Sequence, residues 1–483
     1  MNNEDYSLLT DLYQLTMAQG YWENNKQDEE VCFYSFFRLN PFEGGYAIAS
    51  GMEHMAEVIE GFGFTQEDID YLASLDAPGG GKLFKPGFLE YLLHLELSVD
   101  IWAVREGTVV FPNDPLFRVT GPIIECQLLE TALLNAVNFE TLVATKAARI
   151  CLCAQTPVAE FGLRRAQGES GGVRASRAAI VGGCASTSNV LAGKLYNLPV
   201  SGTHSHSWVM SFDSELEAFR AYAKAFPTNC VLLVDTYNIS TGIKNAIQVG
   251  LEMKERGETL AGIRIDSGDL SWQAIKAREM LDEAGLTETG VVLSNDLDEW
   301  TIKTIRDSGA KVSSWGVGTK LATSYDQPAL GGVYKLAAKK DAEGKWVDCI
   351  KVTGNTAKIT TPGVLDVRRY FYPSGKIAGD MVFDINTGVP IERIVDPADR
   401  FRQKKLKGLN YVTLLEPLCE KGTVVLPEEY KNALIARDYA KGQLELLDES
   451  QKRLLNPHSY PVGLEYSLFY RRDELITKLL DLA

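Results

Sequence analysis

The chain has 483 residues, more than one core usually organises, so two or three packed domains are expected. Apolar residues make up 45% and charged residues 23%, which excludes disorder as a global description. Lysine and arginine total 49 against 64 acidic residues, a formal net charge of −15, which argues against non-specific nucleic-acid binding by phosphate neutralisation. A polyanionic small molecule would need local positive charge or a divalent cation.

The first residues are polar and acidic, with neither a basic nor an apolar leader region, and no apolar run approaches the ~20 residues of a membrane span. Cys32, Cys126, Cys151, Cys153, Cys184, Cys230, Cys349 and Cys419 include no C-x-x-C pair and sit mostly among apolar neighbours. Reduced buried thiols and a cytoplasmic location are therefore expected.

Residues 1–130 read as an α+β domain. Thr10 is the expected N-cap of a helix over 11–21 with an apolar stripe of Leu12, Leu15, Ala18 and Trp22, and Tyr13 is one residue out of phase with that stripe. Residues 31–39 read as an aromatic-rich strand, and 101–120 as two strands broken by Phe111-Pro112-Asn113-Asp114-Pro115. A long apolar helix is expected over about 125–153.

Over 131–340 short apolar runs alternate with amphipathic helices, at 157–161, 180–184, 199–203, 230–235, 261–266, 291–294, 312–318 and 332–337. Several recur at about thirty residues, the length of a βα unit. Eight such runs suggest an irregular (β/α) barrel, with an open doubly wound sheet as the alternative. Residues 341–483 carry short β-like segments at 350–352, 370–372, 381–383 and 411–415 and end in helices, a small β-rich domain.

Catalytic residues of a barrel come from the C-terminal ends of its strands. Those ends read Glu160-Phe161-Gly162-Leu163-Arg164-Arg165, Gly202-Thr203-His204-Ser205-His206, Asp235-Thr236-Tyr237, Arg264-Ile265-Asp266-Ser267-Gly268-Asp269, Ser294-Asn295-Asp296 and Gly316-Val317-Gly318-Thr319-Lys320. Six polar clusters in register point to one site. Gly316-x-Gly318-Thr319 suits a phosphate, because glycines let backbone N–H groups approach an anion; a tight turn is the other reading. Ser170-Gly171-Gly172 could be a second anion seat. Asp235 and Asp266 suit a divalent cation or sugar hydroxyls, or else cap helices. His204-x-His206 has three readings. In an extended segment both rings would face one way, as in metal-dependent barrel hydrolases, but no further histidine lies in this region to complete a metal site. One histidine could instead be a nucleophile or proton carrier, or both could be structural.

Taken in order, Leu9-Thr10-Asp11-Leu12-Tyr13-Gln14, the clusters above and Gly331-Gly332-Val333-Tyr334-Lys335-Leu336 closely resemble the nicotinate phosphoribosyltransferase family, along the whole chain. The resemblance implies condensation of nicotinate with phosphoribosyl pyrophosphate, yielding nicotinate mononucleotide and pyrophosphate for NAD synthesis. It also implies coupling to ATP hydrolysis through a phosphohistidine, with Mg²⁺ required. The family pattern G-T-x-x-H puts the phosphorylated residue at His206, with His204 as the competing assignment. Nicotinate contacts carry over to Tyr13, Thr203 and Arg264, and a phosphate contact to Thr319 beside Gly318. Phe161 and Arg164 match positions lining the pyridine and ribose-phosphate region, with Arg165 the alternative to Arg164. Asp235 and Asp266 could hold Mg²⁺ or its waters. The implied fold is a two-domain α/β structure with an irregular barrel, in a head-to-tail homodimer that brings a tyrosine like Tyr13 into the neighbour's site. Nicotinamide phosphoribosyltransferases carry an aspartate in a Gly-Thr-Asp-Thr segment. Reading Gly183-Cys184-Ala185-Ser186 as its counterpart puts Ala185 in place of the acid, which favours nicotinate. A metal-dependent hydrolase and a non-catalytic binding protein are the readings from other classes.

Overall fold

A computed structural model of the chain describes residues 6–353 and 359–481. They form two compact units. One contains the residues up to Leu142 together with those from Ala329 onward, and the other spans Val143–Pro328. The helix Glu130–Ala154 carries the chain from the first unit into the second.

The described residues of the first unit form two large sheets and a two-stranded one, in which Ala47–Ile48 pairs with Val109–Val110. In the seven-stranded sheet the order is Trp346–Asp348, Val333–Lys340, Glu30–Phe36, Phe117–Pro122, Asp100–Val104, Leu415–Glu420 and Thr423–Val424, and every pairing is antiparallel. The six-stranded sheet is assembled from C-terminal segments, with Val462–Glu465 and Ile377–Asp384 at its centre. A core of Phe33, Phe37, Met55, Phe88, Phe117 and Leu133 lies against the first sheet. The run at 332–337, expected as a barrel strand, belongs here: Val333–Lys340 pairs antiparallel with Glu30–Phe36. Residues 350–352 form no strand.

The N-terminal helix is Leu12–Glu23, capped by Asp11 rather than Thr10, and the Gln14 side chain accepts a hydrogen bond from the Asp11 N–H at 2.9 Å. Leu15 and Ala18 are buried as expected, whereas Leu12 is 53% exposed. Gln14 replaces it on the inner face, buried and bonded to its own cap.

The second unit contains one parallel sheet. Its strands are β1 (Val158–Glu160), β2 (Ser186–Thr187), β3 (Cys230–Leu233), β4 (Leu260–Ile265), β5 (Gly290–Leu293) and β6 (Ser314–Val317). They lie in the order β2-β1-β6-β5-β4-β3, all parallel. Beyond β2, Thr187 makes a single parallel bridge to Val200. That order is cyclic in the chain and interrupted once, between the segment at Val200 and β3: a curled half-barrel. Apolar runs mark these strands because helices cover a parallel sheet and leave little of it exposed. Two expected strands are absent. Ile180 and Val181 end the helix Glu169–Val181, since a short buried apolar run reads alike in helix and strand. Residues 199–203 contribute only the bridge at Val200.

Candidate active site at the strand ends

Parallel strands deliver their C-terminal ends to one rim. β1 ends in Glu160, fully buried, whose carboxylate accepts hydrogen bonds from the Ser176 hydroxyl at 2.9 Å, the Thr187 hydroxyl at 2.6 Å and the Gly162 N–H. These bonds tie β1, β2 and the helix Glu169–Val181 to the turn that carries Phe161 and Arg164. Phe161 donates its N–H to the Val317 carbonyl at 2.8 Å, and its ring lies over Gly316. A Cβ at Gly316 would sit 2.6 Å from Cδ2 and Cε2 of that ring, so this glycine is required by close packing. A Cβ at Gly318 would likewise lie 3.1 Å from the Phe161 carbonyl oxygen. The G-x-G spacing, read in the sequence as suited to a phosphate, therefore also serves to seat Phe161. Thr319 follows as the first residue of the short helix Thr319–Ala322, and Ser170-Gly171-Gly172 falls in the first turn of Glu169–Val181.

On β4, Gly262, Arg264 and Asp266 alternate with buried Ile263 and Ile265, so Arg264 and the residue after the strand share a face. The Arg264 guanidinium donates through Nη1 to the Thr203 hydroxyl, while its Nε is buried with no hydrogen-bond partner among the described residues. Burial lowers its pKa from the usual value; the negative charges of Asp266 and Asp235 oppose this, and the positive charge of Arg164 reinforces it. Both Arg164 and Arg165 are exposed on the turn Leu163–Arg165.

Asp235 follows β3, and its Oδ2 accepts from the Asp266 N–H at 2.9 Å and the Ser267 hydroxyl at 2.6 Å. Its Oδ1 is buried and has no hydrogen-bond partner among the described residues. The Ser294 hydroxyl donates to Asp266 Oδ1. Neither aspartate caps a helix: Asn238 caps Ile239–Glu255 and Asp269 caps Leu270–Glu283.

His206 opens the helix His206–Met210, half-buried, with Nδ1 3.1 Å from the Thr236 hydroxyl. His204 is buried, with Nε2 3.2 Å from the Leu233 N–H and Nδ1 3.3 Å from the Ser205 carbonyl oxygen. Among the described residues no group of three or more His, Cys, Asp and Glu side chains is placed to hold a metal.

Phe161, Arg164, Thr203, His206, Asp235, Arg264, Asp266, Gly318 and Thr319 thus all stand at the strand ends of the parallel sheet or in the segments that follow. Tyr13 belongs to the other unit, 48% exposed on Leu12–Glu23, its phenol pushed up to about 12 by partial burial and by Glu130. Ala185 precedes β2 and lies at the opposite end of that strand from the rim. The residue following β2 is Ser188, also uncharged, so the comparison with an amide-binding aspartate moves to that position. The roles of Glu160, Thr236 and Ser294 as partners of site residues went unread in the sequence. All three end or follow apolar strand runs, which was the available signal.

Models of the nicotinate phosphoribosyltransferase N-terminal domain, family and C-terminal domain match residues 8–138, 157–360 and 366–471. A nicotinate phosphoribosyltransferase of Bacillus subtilis is 44% identical over 470 residues, 96% of this chain and 93% of the relative. The human one is 34% identical over 521 residues, 95% of each chain. The crystal structure of human nicotinic acid phosphoribosyltransferase matches with a TM-score of 0.83 at 31% identity, covering 96% of this chain and 99% of that one. A nicotinate-nucleotide pyrophosphorylase of Pyrococcus furiosus shares the fold, with a TM-score of 0.68 at 21% identity over 94% and 97% of the two chains. With 96% of its length matched in sequence and in structure, the chain belongs to the nicotinate phosphoribosyltransferase family.

Proposed function

We propose that the chain condenses nicotinate with phosphoribosyl pyrophosphate to give nicotinate mononucleotide and pyrophosphate, coupled to ATP hydrolysis through phosphorylation of His206. The observation that carries this reading is the half-buried Arg264, whose buried Nε has no hydrogen-bond partner among the described residues, beside two aspartates, one of which likewise leaves a buried oxygen without a partner. Buried unpaired donors are costly, and a substrate carboxylate would satisfy them with charge-assisted, bidentate hydrogen bonds. The Thr203 hydroxyl, already on Nη1, supports the same end of the ring. Phe161 offers an aromatic face for offset stacking of the pyridine. Arg164 and the turn at Gly318-Thr319 are the candidates for the phosphates.

In this reaction the pyridine nitrogen lone pair forms the bond to ribose C1 while the bond from C1 to the pyrophosphate oxygen breaks, its electron pair leaving with pyrophosphate. The attacking nitrogen carries no proton, so no general base is needed. What the protein supplies is placement of the ring and cationic stabilisation of the leaving group. Asp235 and Asp266 fit Mg²⁺, which binds through one or two carboxylates together with waters and phosphate oxygens, and the unpartnered Asp235 Oδ1 is suited to such a water or to a ribose hydroxyl. Bound there, the ion would neutralise pyrophosphate as it departs. In the tautomer whose Nδ1–H donates to the Thr236 hydroxyl, His206 keeps the Nε2 lone pair for attack on the γ-phosphorus of ATP, expelling ADP; water then cleaves the phosphoimidazole.

A homodimer is part of this reading. Leu9, Leu12, Tyr13 and Met17 expose an apolar stretch at the N-terminal helix, suited to a second copy that would accept Tyr13 into its site. The uncharged end of β2 at Ser188 supports an anionic nicotinate over neutral nicotinamide. The test is mononucleotide and ADP formation with phosphoribosyl pyrophosphate, Mg²⁺ and ATP, offering nicotinate and nicotinamide in parallel. Turnover of nicotinate with ADP release is expected; preference for nicotinamide, or turnover of neither, would overturn the reading.

A further inference from the structure

The half-barrel leaves β3 as an edge strand, and what satisfies that edge bears on the site. Val234 N–H donates to the Arg264 carbonyl at 3.1 Å, towards β4. Backbone N–H groups alternate in direction along a strand, so the Leu233 N–H points the other way, to the side where the next strand of a closed barrel would stand. Leu233 is fully buried, so water cannot take that bond and an unpaired N–H there would destabilise the fold. Its partner is a side chain, His204 Nε2, at 3.2 Å.

We propose that His204 is a positioning residue for the reaction: its imidazole replaces the missing strand's carbonyl at the open edge and thereby fixes the segment carrying Thr203 and His206 against β3 and β4. The inference rests on the function proposed above and deepens it. His204 is 7% exposed, with the Tyr222 ring edge-on at a centroid distance of 4.6 Å and Phe219 at 6.2 Å, so the helix Glu215–Ala225 holds the imidazole in place. Nδ1–H donates to the Ser205 carbonyl oxygen, which leaves Nε2 as the acceptor that Leu233 requires. Both ring nitrogens are used within the protein, and no lone pair is left for a phosphoryl group. On either side stand the residues it would fix: Thr203 on the Arg264 guanidinium, and His206 on Thr236, three residues after Leu233. Burial lowers the His204 pKa to about 4, and the charges of Arg264 and His206 act in the same direction, which keeps the acceptor lone pair free at neutral pH.

The requirement is an acceptor at the reach of Nε2, not an imidazole as such. Glutamine meets it and phenylalanine does not. Three readouts on the full chain test this: amide hydrogen exchange of peptides covering residues 230–235, the KM for nicotinate against kcat, and the yield and position of phosphohistidine. Loss of one buried hydrogen bond sets an effect of roughly tenfold. His204→Phe should speed exchange at Leu233 and raise the nicotinate KM by about that factor, and slow phosphorylation of His206. His204→Gln should stay within about threefold of the wild type in all three, well inside the loss of one bond. A folded His204→Gln as impaired as His204→Phe would overturn the proposal, as would a His204→Phe with unchanged exchange and KM. Phosphate found on His204 of the wild type would overturn it too, even if His204→Phe does not fold. Wild-type protein that turned over no nicotinate, with exchange at Leu233 still responding as expected, would instead refute the function and leave the edge bond standing.

Discussion

Substituting alanine for Gly316 tests the placement of Phe161 directly. The added Cβ would lie 2.6 Å from two ring carbons of Phe161 and 3.3 Å from Ser294 Cβ. Carbon atoms in contact settle at about 3.5–4.0 Å, so relief requires a shift of about 1 Å. The backbone has little freedom to supply it, since Phe161 N–H is held on Val317 O at 2.8 Å and β6 pairs with both β1 and β5. The ring moves instead. Overpacking of this kind costs about 1–3 kcal/mol of stability, and displacing a substrate-positioning group by about 1 Å can cost roughly 10²-fold in rate. Gly316→Ala should therefore lower kcat/KM for nicotinate by roughly 10- to 100-fold while the protein still melts cooperatively. The decisive assay is a double-mutant cycle with Phe161→Ala, measured by initial rates of mononucleotide formation. Once the ring is gone the Cβ has space, so Gly316→Ala should add little in the Phe161→Ala background. Additive losses, or a wild-type KM in folded Gly316→Ala, would refute the argument that Phe161 presents the ring face and Gly316 seats it.

Three further outcomes are expected. Glu160→Ala leaves the Thr187 hydroxyl and the Gly162 N–H without their acceptor, while the Ser176 hydroxyl keeps the Gly172 carbonyl, and should destabilise the protein by about 2–4 kcal/mol, with Glu160→Gln at about 1–2 kcal/mol; chemical denaturation giving equal values for both would contradict this account of the buried carboxylate. His206→Ala should abolish the phosphoenzyme and ATP stimulation while leaving slow ATP-independent synthesis, and a phosphoenzyme surviving in that variant would exclude His206. The third concerns pH. His204 titrates near 6.5 when unfolded and about 4 when folded, so between those values the unfolded chain binds more protons and stability falls as pH drops. The contribution, about 3 kcal/mol, is present in full above pH 6.5 and is lost as pH falls through about 4. Subtracting the denaturation profile of His204→Gln from that of the wild type should isolate this window; a flat difference would mean that His204 titrates normally in the fold.

How far the sequence discloses the fold depends on whether an element's partners are near in the chain. β1 and β3 to β6 were readable as apolar runs ending in polar residues, because a strand covered on both sides has little choice of composition. The strand Val333–Lys340 carries a similar run yet pairs with Glu30–Phe36, with Val31 opposite Lys339. Composition does not report a partner that far away, so the run reads as one more of the parallel strands beside it. Ile180–Val181 was misplaced for a different reason: a fully buried helix end shows no amphipathic period. The aspartates illustrate the same limit within the site. Asp235 and Asp266 could have been helix caps by spacing alone, and only the positions of Asn238 and Asp269 at the true N-caps release them for other work.

The two histidines carry this argument furthest. Alternation along an extended segment would turn the rings of His204 and His206 to one side, the arrangement a metal pair requires. That inference fails at Ser205, which is an N-cap: Ser205 is extended and the chain is helical from His206 onward, so a period of two cannot relate the rings. His204 is left pointing at a strand edge and His206 at Thr236. The edge exists only because the sheet stops at six strands, and the sheet stops there because the segment around Val200 makes one bridge to Thr187 and no ladder with β3. A residue's chemistry here follows from the absence of a neighbour, which local periodicity cannot register. The acceptor that the gap demands is supplied by the residue next to Thr203 and two before His206, and so closure of the edge and alignment of the site depend on the same short segment.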